Sequence, residues 1–244
     1  MTTYIDQYLT LAIERLQALA RDSADDIHRA AEAVADAIAN DRDFLLFGSG
    51  HSALIARDAA GRAGGLMPAL QIEDVADGDA ERLEGMAKVI LGRYDLRAGS
   101  VIVIISNSGI NVVPIEMALL AKAAGLTVIA VTSLAHSQSV RSRHSSGKKL
   151  YEVADIAIDT HGVPGDAVLE LPGSPAKSGA LSTLLGSAIV QALTVQTAAL
   201  LAERGIEPPV LISANVSGGD EHNRALVERY WSRLARHQIS SYTP

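Results

Sequence analysis

The sequence predicts an α/β fold: a three-layer, doubly wound arrangement in which a five-stranded parallel sheet carries helices on both faces, with N-terminal helices before it and a C-terminal helical arm after it. Three observations predict this. Short unbroken apolar runs, Asp43–Phe47, Val101–Ile105, Leu126–Val131 and Ala154–Ile158, suit strands buried on both faces. Segments with helical periodicity alternate with them. The runs also give way to small polar residues: Gly48, Ser106, Thr132-Ser133 and Asp159-Thr160.

Taken in order, residues 3–39 place Ile5, Leu9, Leu11, Ile13, Leu16 and Leu19, then Ile27, Ala30, Val34 and Ile38, at helical spacing. Asp22-Ser23 divides this stretch in two, because both residues favour caps. The first strand, 43–47, runs into Gly48 and a helix over 52–63. Pro68–Ile72 and Ala167–Leu171 are weaker strand candidates. Further helices are expected at 79–91, 112–124, 177–204 and 219–237, and Gly205 through Pro208-Pro209 separates the last two. The organisation expected is one domain over 1–244: N-terminal helices at 1–40, an α/β core at 41–205 and an arm at 206–244.

Composition narrows the function. With 48 % hydrophobic and 20 % charged residues the chain has material for a core. A formal net charge of −7 and the lack of a long basic run argue against a nucleic-acid partner. There are no cysteines, so disulfides, thiolate catalysis and Cys-ligated metals are excluded. The N-terminus does not read as a signal peptide, and apolar stretches fall short of the roughly 20 residues a membrane span needs. A cytoplasmic protein without a membrane partner is expected. The broad apolar face of the N-terminal helices and the Ala-rich helix 177–204 suggest a homodimer or homotetramer.

The chemistry concentrates in two loops. Gly48-Ser49-Gly50-His51-Ser52 follows the first strand and opens a helix, and Ser106-Asn107-Ser108-Gly109 repeats the pattern after Val101–Ile105, with Asn111 close behind. In an open parallel sheet ligands bind outside the carboxyl ends of the strands. Glycine allows close backbone approach, helix-start N–H groups attract anions, and serine hydroxyls add donors. Neither loop has the Gly-Lys-Ser/Thr ending of a nucleoside-triphosphate loop or the glycine spacing of a dinucleotide fingerprint. One compact anion is expected, phosphate or sulfonate. Thr132-Ser133 and His136-Ser137 are expected to supply a third edge. No metal-ligand spacing appears, and no cofactor is expected.

These motifs resemble the two phosphate loops of the sugar isomerase (SIS) domain family over roughly residues 40–205. The resemblance implies a flavodoxin-like five-stranded sheet that binds an anionic sugar. Gly173-Ser-Pro-Ala-Lys177-Ser-Gly is similar to a segment of the N-acetylmuramic acid 6-phosphate etherases. The stretches Ser142–Lys148 and Ser213–Asn223 resemble a phosphosugar-isomerase-like subgroup related to the phosphoheptose isomerases. The function implied is a cofactor-independent aldose–ketose isomerase working through an enediol. A sulfonated-sugar isomerase, a lyase or etherase, and a non-catalytic sugar-phosphate sensor stand as alternatives.

Isomerisation needs a base to move a proton between neighbouring carbons and an acid to serve the oxygens. The phosphoheptose isomerases carry a glutamate where this chain has Arg62, which is therefore read as an anion ligand or as the partner of Asp58. Glu84, by its similarity to an etherase glutamate, is the expected base, with Glu73 and Asp74 as second choice. His222, in the polar segment with Asn215 and Glu221, is the expected acid, delivered by the arm across a subunit boundary. His51 is expected at the ligand. Lys177, at the start of the long helix, opposes the helix dipole, which favours a binding role.

Overall fold

A computed structural model describes residues 3–239. Helices α1 (Tyr4–Asp22) and α2 (Ala24–Ala39) come first. The Thr3 side chain and the Asp6 carboxylate cap α1 reciprocally. Ser23 breaks the two helices, and its hydroxyl reaches the Asp159 carbonyl (3.0 Å) and His161 Nε2 (3.0 Å). The expected break at Asp22-Ser23 is therefore also a tie to the far edge of the sheet.

The sheet consists of β1 (Phe44–Gly48), β2 (Ala69–Ile72), β3 (Val101–Ile105), β4 (Thr127–Thr132) and β5 (Ile156–Asp159). All pairs are parallel, in the order β2-β1-β3-β4-β5. The chain leaves β1 toward one edge and returns to β3 on its other side. The topological switch point thus lies between β1 and β3, where a crevice opens beyond their carboxyl ends. Phe44–Phe47 and Val101–Ile104 are almost wholly buried, which explains why these strands read as continuous rather than alternating apolar runs.

Two apolar clusters sandwich the sheet. One joins α1, α2, α3 (His51–Ala59) and α8 (Ser182–Glu203) to Phe44, Leu46, Val103 and Ile129. The other joins α4 (Met86–Leu91), α5 (Val112–Ala123) and α7 (Leu150–Val153) to Leu45, Phe47, Ile102 and Ile104. The short α6 (Leu134–Ser139) follows β4 directly. Helix α8 corrects the expectation that no apolar stretch reaches spanning length. It has 22 residues, with an 18-residue stretch of mean hydropathy 1.6, but Leu185, Ile189, Val190 and Leu193 pack into the core.

Two other expectations fail locally. The helix expected over 79–91 is confined to Met86–Leu91, because Gly78 (φ +89°) and Gly85 (φ +88°) bracket a run of turns, and Glu116 caps the Gly85 N–H at 2.8 Å. The helix expected from Lys177 starts at Ser182. Residues 178–180 form β7 (Ser178–Ala180), antiparallel to β6 (Ala167–Leu169), with Gly179 at φ +81°. The weak strand candidate 167–171 is therefore part of a hairpin rather than of the sheet.

Helix α9 (Gly219–Ile239) forms the arm. The segment before it pairs with residues 64–67, ahead of β2, through Gly64 N to Leu211 O (2.8 Å) and an antiparallel bridge between Leu66 and Val210. Arg233 bonds Asp41 Oδ1 (2.5 Å), Arg42 O (3.1 Å) and Ile38 O (3.2 Å), just before β1. The arm is thus anchored at the amino-terminal ends of the strands.

Candidate functional site

At the carboxyl ends of β1 and β3 lies a cleft of about 460 Å³. Ser49, Gly50, His51 and Ser52 form one wall, and Ser106, Asn107 and Ser108 another. Gly78, Glu81, His136 and Asp166 line it further, with Ala180, Ser182 and Thr183 at the start of α8. Among the described residues no lysine or arginine lines it; the lining donors are hydroxyls, amides, imidazoles and backbone N–H groups.

The first loop takes its shape from two glycines. Gly48 closes β1 so tightly that a Cβ there would lie 2.3 Å from the Ser52 carbonyl oxygen. Gly50 stands at the head of α3 with φ +54°, a conformation costly to any residue with a side chain. Ser49 is buried, and its hydroxyl donates to Asp74 Oδ2 at 2.5 Å. Asp74 also accepts from Ala76 N (3.1 Å) and Gly78 N (3.0 Å), which folds the segment after β2 over the first loop and carries Glu81 to the cleft. Asp74 is therefore an organiser of the site.

In the second loop Gly109 (φ +61°) packs against Thr132, and its N–H donates to Ser106 Oγ (3.3 Å). The Asn107 carbonyl accepts from Ser133 N (2.9 Å) and Thr132 Oγ1 (3.3 Å), tying this loop to the end of β4. Ser133 is buried outside the cleft; it donates to the Gly162 carbonyl (2.7 Å) and caps the N–H of His136 (3.1 Å). His136 thereby faces the cleft. Burial pushes its imidazole below the usual 6.5, with Asp166 opposing and Arg143 reinforcing that shift. Two buried side-chain atoms in the cleft lining have no hydrogen-bond partner: His136 Nδ1 and Asn107 Oδ1. At the α8 end Asp166, at φ +69°, accepts from Leu181 N (3.0 Å), Ser182 N (2.8 Å) and Ser182 Oγ (2.6 Å).

Several expected residues lie elsewhere. Glu84 does not line the cleft: it is exposed and accepts from Ser145 N at 2.9 Å, and the Ser145 hydrogen bonds hold its carboxyl below the usual range. Glu81, one turn earlier, lines the cleft, and among the described residues no side chain pairs with its carboxylate. Arg62 pairs with Asp58 on the helix exterior (2.5 Å). Asn111 heads α5 and accepts from Arg143. Lys177 pairs with Glu170 across the hairpin (3.3 Å). His222 meets the Val210 carbonyl through Nε2 (2.9 Å) in the arm, at the opposite end of the sheet from its own chain's cleft, and Asn215 and Glu221 are exposed beside it. Gly48 shapes the first loop without lining the cavity.

Sequence reasoning missed Glu81, Asp166, Ser182 and Thr183. A signal was available for Glu81 in Gly78 and Gly85, which mark a looped rather than helical approach. Asp166 acts through a hairpin that periodicity does not reveal. A second groove, of about 500 Å³, lies between α1, α2 and α8, lined by Leu16, Leu19, Ile27 and Ile189 with Asp25, His28 and Gln196. It is remote from the strand ends and their converging donors, so the cleft is the better candidate. Among the described residues no three His, Cys, Asp or Glu side chains group as metal ligands.

The SIS domain model matches residues 7–133. A UPF0309 protein of Geobacillus thermodenitrificans is 43 % identical over 239 residues, covering 94 % of this chain and 96 % of that protein. One from Streptomyces coelicolor is also 43 % identical over 239 residues, covering 93 % and 95 %. Among solved structures, a phosphoheptose isomerase from Francisella tularensis superposes with a TM-score of 0.56 at 18 % identity, covering 79 % of this chain and 95 % of that one. The Vibrio vulnificus NanR protein complexed with ManNAc-6P gives a TM-score of 0.52 at 18 % identity, covering 96 % and 70 %.

Proposed function

The chain belongs to the SIS-domain proteins and, within them, to the UPF0309 family, and from that premise we propose that it is an aldose–ketose isomerase acting on a phosphorylated sugar. The observation that carries this reading is the cleft itself, where two Ser/Gly loops converge with the Glu81 carboxylate, which no side chain among the described residues pairs, and two imidazoles, His51 and His136. The hydroxyls of Ser52, Ser106 and Ser108 and the loops' N–H groups hold the anion by charge-assisted hydrogen bonds, while the Ser49 hydroxyl stays on Asp74. Glu81 takes the proton from the carbon next to the carbonyl. The C–H electron pair forms the C=C bond of the enediol, and the former carbonyl oxygen takes a proton from an imidazole. The imidazole then takes the proton from the neighbouring hydroxyl, which re-forms a carbonyl one carbon along, and Glu81 delivers its proton to the former carbonyl carbon. Glu81 replaces Glu84 in this role because Glu84 is engaged by Ser145 outside the cleft.

The test is incubation in D₂O with a panel of aldose and ketose phosphates and their sulfonate analogues, followed by NMR. Deuterium at C1 or C2 of a phosphate is the expected result. Binding without exchange anywhere in the panel would remove the isomerase and leave a sugar-phosphate binder. The proposal includes a homodimer. Ile5, Leu9 and Ile13 form an exposed apolar stripe on α1, each more than half accessible. Replacing all three with serine is expected to convert a dimer to a monomer in analytical ultracentrifugation; a monomeric unaltered protein would refute this.

A further inference from the structure

Beside the cleft lies a cationic segment that the proposed isomerisation does not use. Residues 141–149 hold Arg141, Arg143, Lys148 and Lys149 and no acid, in a chain of net charge −7. Among the described residues none of these four cations forms an ion pair. The carboxylates that touch the segment are engaged by its backbone instead: Glu84 accepts from Ser145 N (2.9 Å) and Glu152 from Lys149 N (2.8 Å).

Hydrogen bonds place the segment on the rim of the cleft. Arg143 N donates to Ile110 O and Leu150 N to Gly109 O, both at 2.9 Å. The segment is thus fastened to the chain directly after Ser106–Ser108, the second anion loop. Lys149 Nζ reaches the carbonyl of Ser137 (2.6 Å), the neighbour of cleft-lining His136. The Arg143 guanidinium bonds Asn111 Oδ1 at the head of α5. Two residues on, Val113 N donates to the carbonyl of Glu81 (3.0 Å), which also lines the cleft. Burial lowers the His136 imidazole, and the charge of Arg143 adds to that shift. The segment is also braced within itself. Ser142 Oγ donates to Lys148 O (2.7 Å), and Ser146 Oγ accepts from Lys148 N (3.2 Å). Cations held on a braced loop lose less freedom on binding than cations on a loose one.

We propose that this segment, with Arg143 at its centre, is a second anion subsite on the rim, so that the ligand it fits carries two anionic groups: a phosphate in the Ser/Gly loops, and a carboxylate or second phosphate against the rim. This rests on the reading of the cleft as a sugar-phosphate site, but not on catalysis. A guanidinium has donors beyond the one given to Asn111, and its fork matches either anion. Arg141 and Lys148, both exposed, add charge around it.

The experiment is calorimetric titration with three ligands that have no carbonyl to isomerise: D-glucitol 6-phosphate, 6-phospho-D-gluconate and D-glucitol 1,6-bisphosphate. The first has one anionic group, the second adds a carboxylate and the third a second phosphate. The unaltered protein is expected to bind at least one of the latter two about tenfold tighter than the first, as one charge-assisted hydrogen bond at an exposed site would provide. The tighter of the two identifies the second group. Arg143→Gln, which can still donate to Asn111, should erase most of the gain, and Arg143→Lys should keep part of it. Raising the salt to about 0.5 M should shrink the gain, because exposed charges are screened. Binding of D-glucitol 6-phosphate with no gain from a second anion overturns the subsite alone. A gain that survives Arg143→Gln or high salt overturns it too. An equal loss for all three ligands in Arg143→Gln also overturns it, since Arg143 would then serve the first anion. If neither these ligands nor inorganic phosphate bind, the reading of the cleft falls and the subsite with it.

Discussion

Replacing Asp74 with asparagine tests how the cleft is assembled. In the native chain Asp74 Oδ2 accepts from the Ser49 hydroxyl (2.5 Å) and the Gly78 N–H (3.0 Å), and Oδ1 accepts from the Ala76 N–H (3.1 Å). Asparagine offers one acceptor oxygen and one donor amide. Whichever way the amide turns, at least one N–H or O–H of the native set faces an NH₂ group. Hydrogen bonds to a charged group contribute about 1.5–3 kcal/mol each. Because the site is partly exposed, about 2 kcal/mol of lost stability is the reasonable expectation from that range. For a chain of this size that corresponds to a fall of about 4–8 °C in Tm, at roughly 2–4 °C per kcal/mol. The same change frees the segment that carries Gly78 and Glu81, so the proposed deuterium exchange should fall beyond what lost stability explains at assay temperature. Differential scanning calorimetry and the exchange assay measure the two effects. A Tm within about 1 °C of the unaltered protein, together with undiminished exchange, would refute the assignment of Asp74 as organiser.

Two further outcomes follow from the structure. Arg233→Met removes three hydrogen bonds from a nearly buried guanidinium and should cost about 3 kcal/mol in urea unfolding, while phosphate binding at the opposite end of the sheet stays unchanged; weakened phosphate binding in the folded variant would contradict the placement of the arm. His136 gives a pH dependence of known sign. Burial lowers its folded-state value below 6.5, so as pH drops below 6.5 the unfolded chain takes up a proton before the folded chain does, and stability falls until the folded imidazole also titrates. His136→Gln should flatten that part of the stability–pH curve, and an unchanged slope below pH 6.5 would contradict the burial.

Much of the fold was legible because it rests on local signals. Val101–Ile105 is a strand with the limits that its apolar run implied, and the other sheet strands fall within one or two residues of theirs. Runs of five or six apolar residues ending at small polar residues are too short for a core helix and suit strands buried on both faces. The two loops were legible because small residues must follow the strands where backbone and ligand approach closely. What was not legible depends on side chains meeting from distant parts of the chain. Glu81 and Glu84 share one short segment, and only Asp74, Glu116 and Ser145 decide which of them reaches the cleft. Lys177 read as the start of a helix because an Ala-rich pattern follows it; the hairpin that displaced that start depends on a pairing between residues 167–169 and 178–180 that no periodicity announces. His222 looked chemically rich in sequence, but its ring nitrogen completes the local fold of the arm.

The central claim is that this cleft is an isomerase site in which Glu81 moves the proton. It is tested most directly by measuring solvent deuterium incorporation at C2 of a turned-over sugar phosphate in Glu81→Gln and Glu84→Gln side by side, with phosphate affinity determined for each. The account predicts that Glu81→Gln slows incorporation by about 10²- to 10⁴-fold, the usual contribution of a general base, while both variants bind phosphate normally and Glu84→Gln stays near the unaltered rate. Undiminished incorporation in Glu81→Gln, or its loss in Glu84→Gln alone, would contradict it.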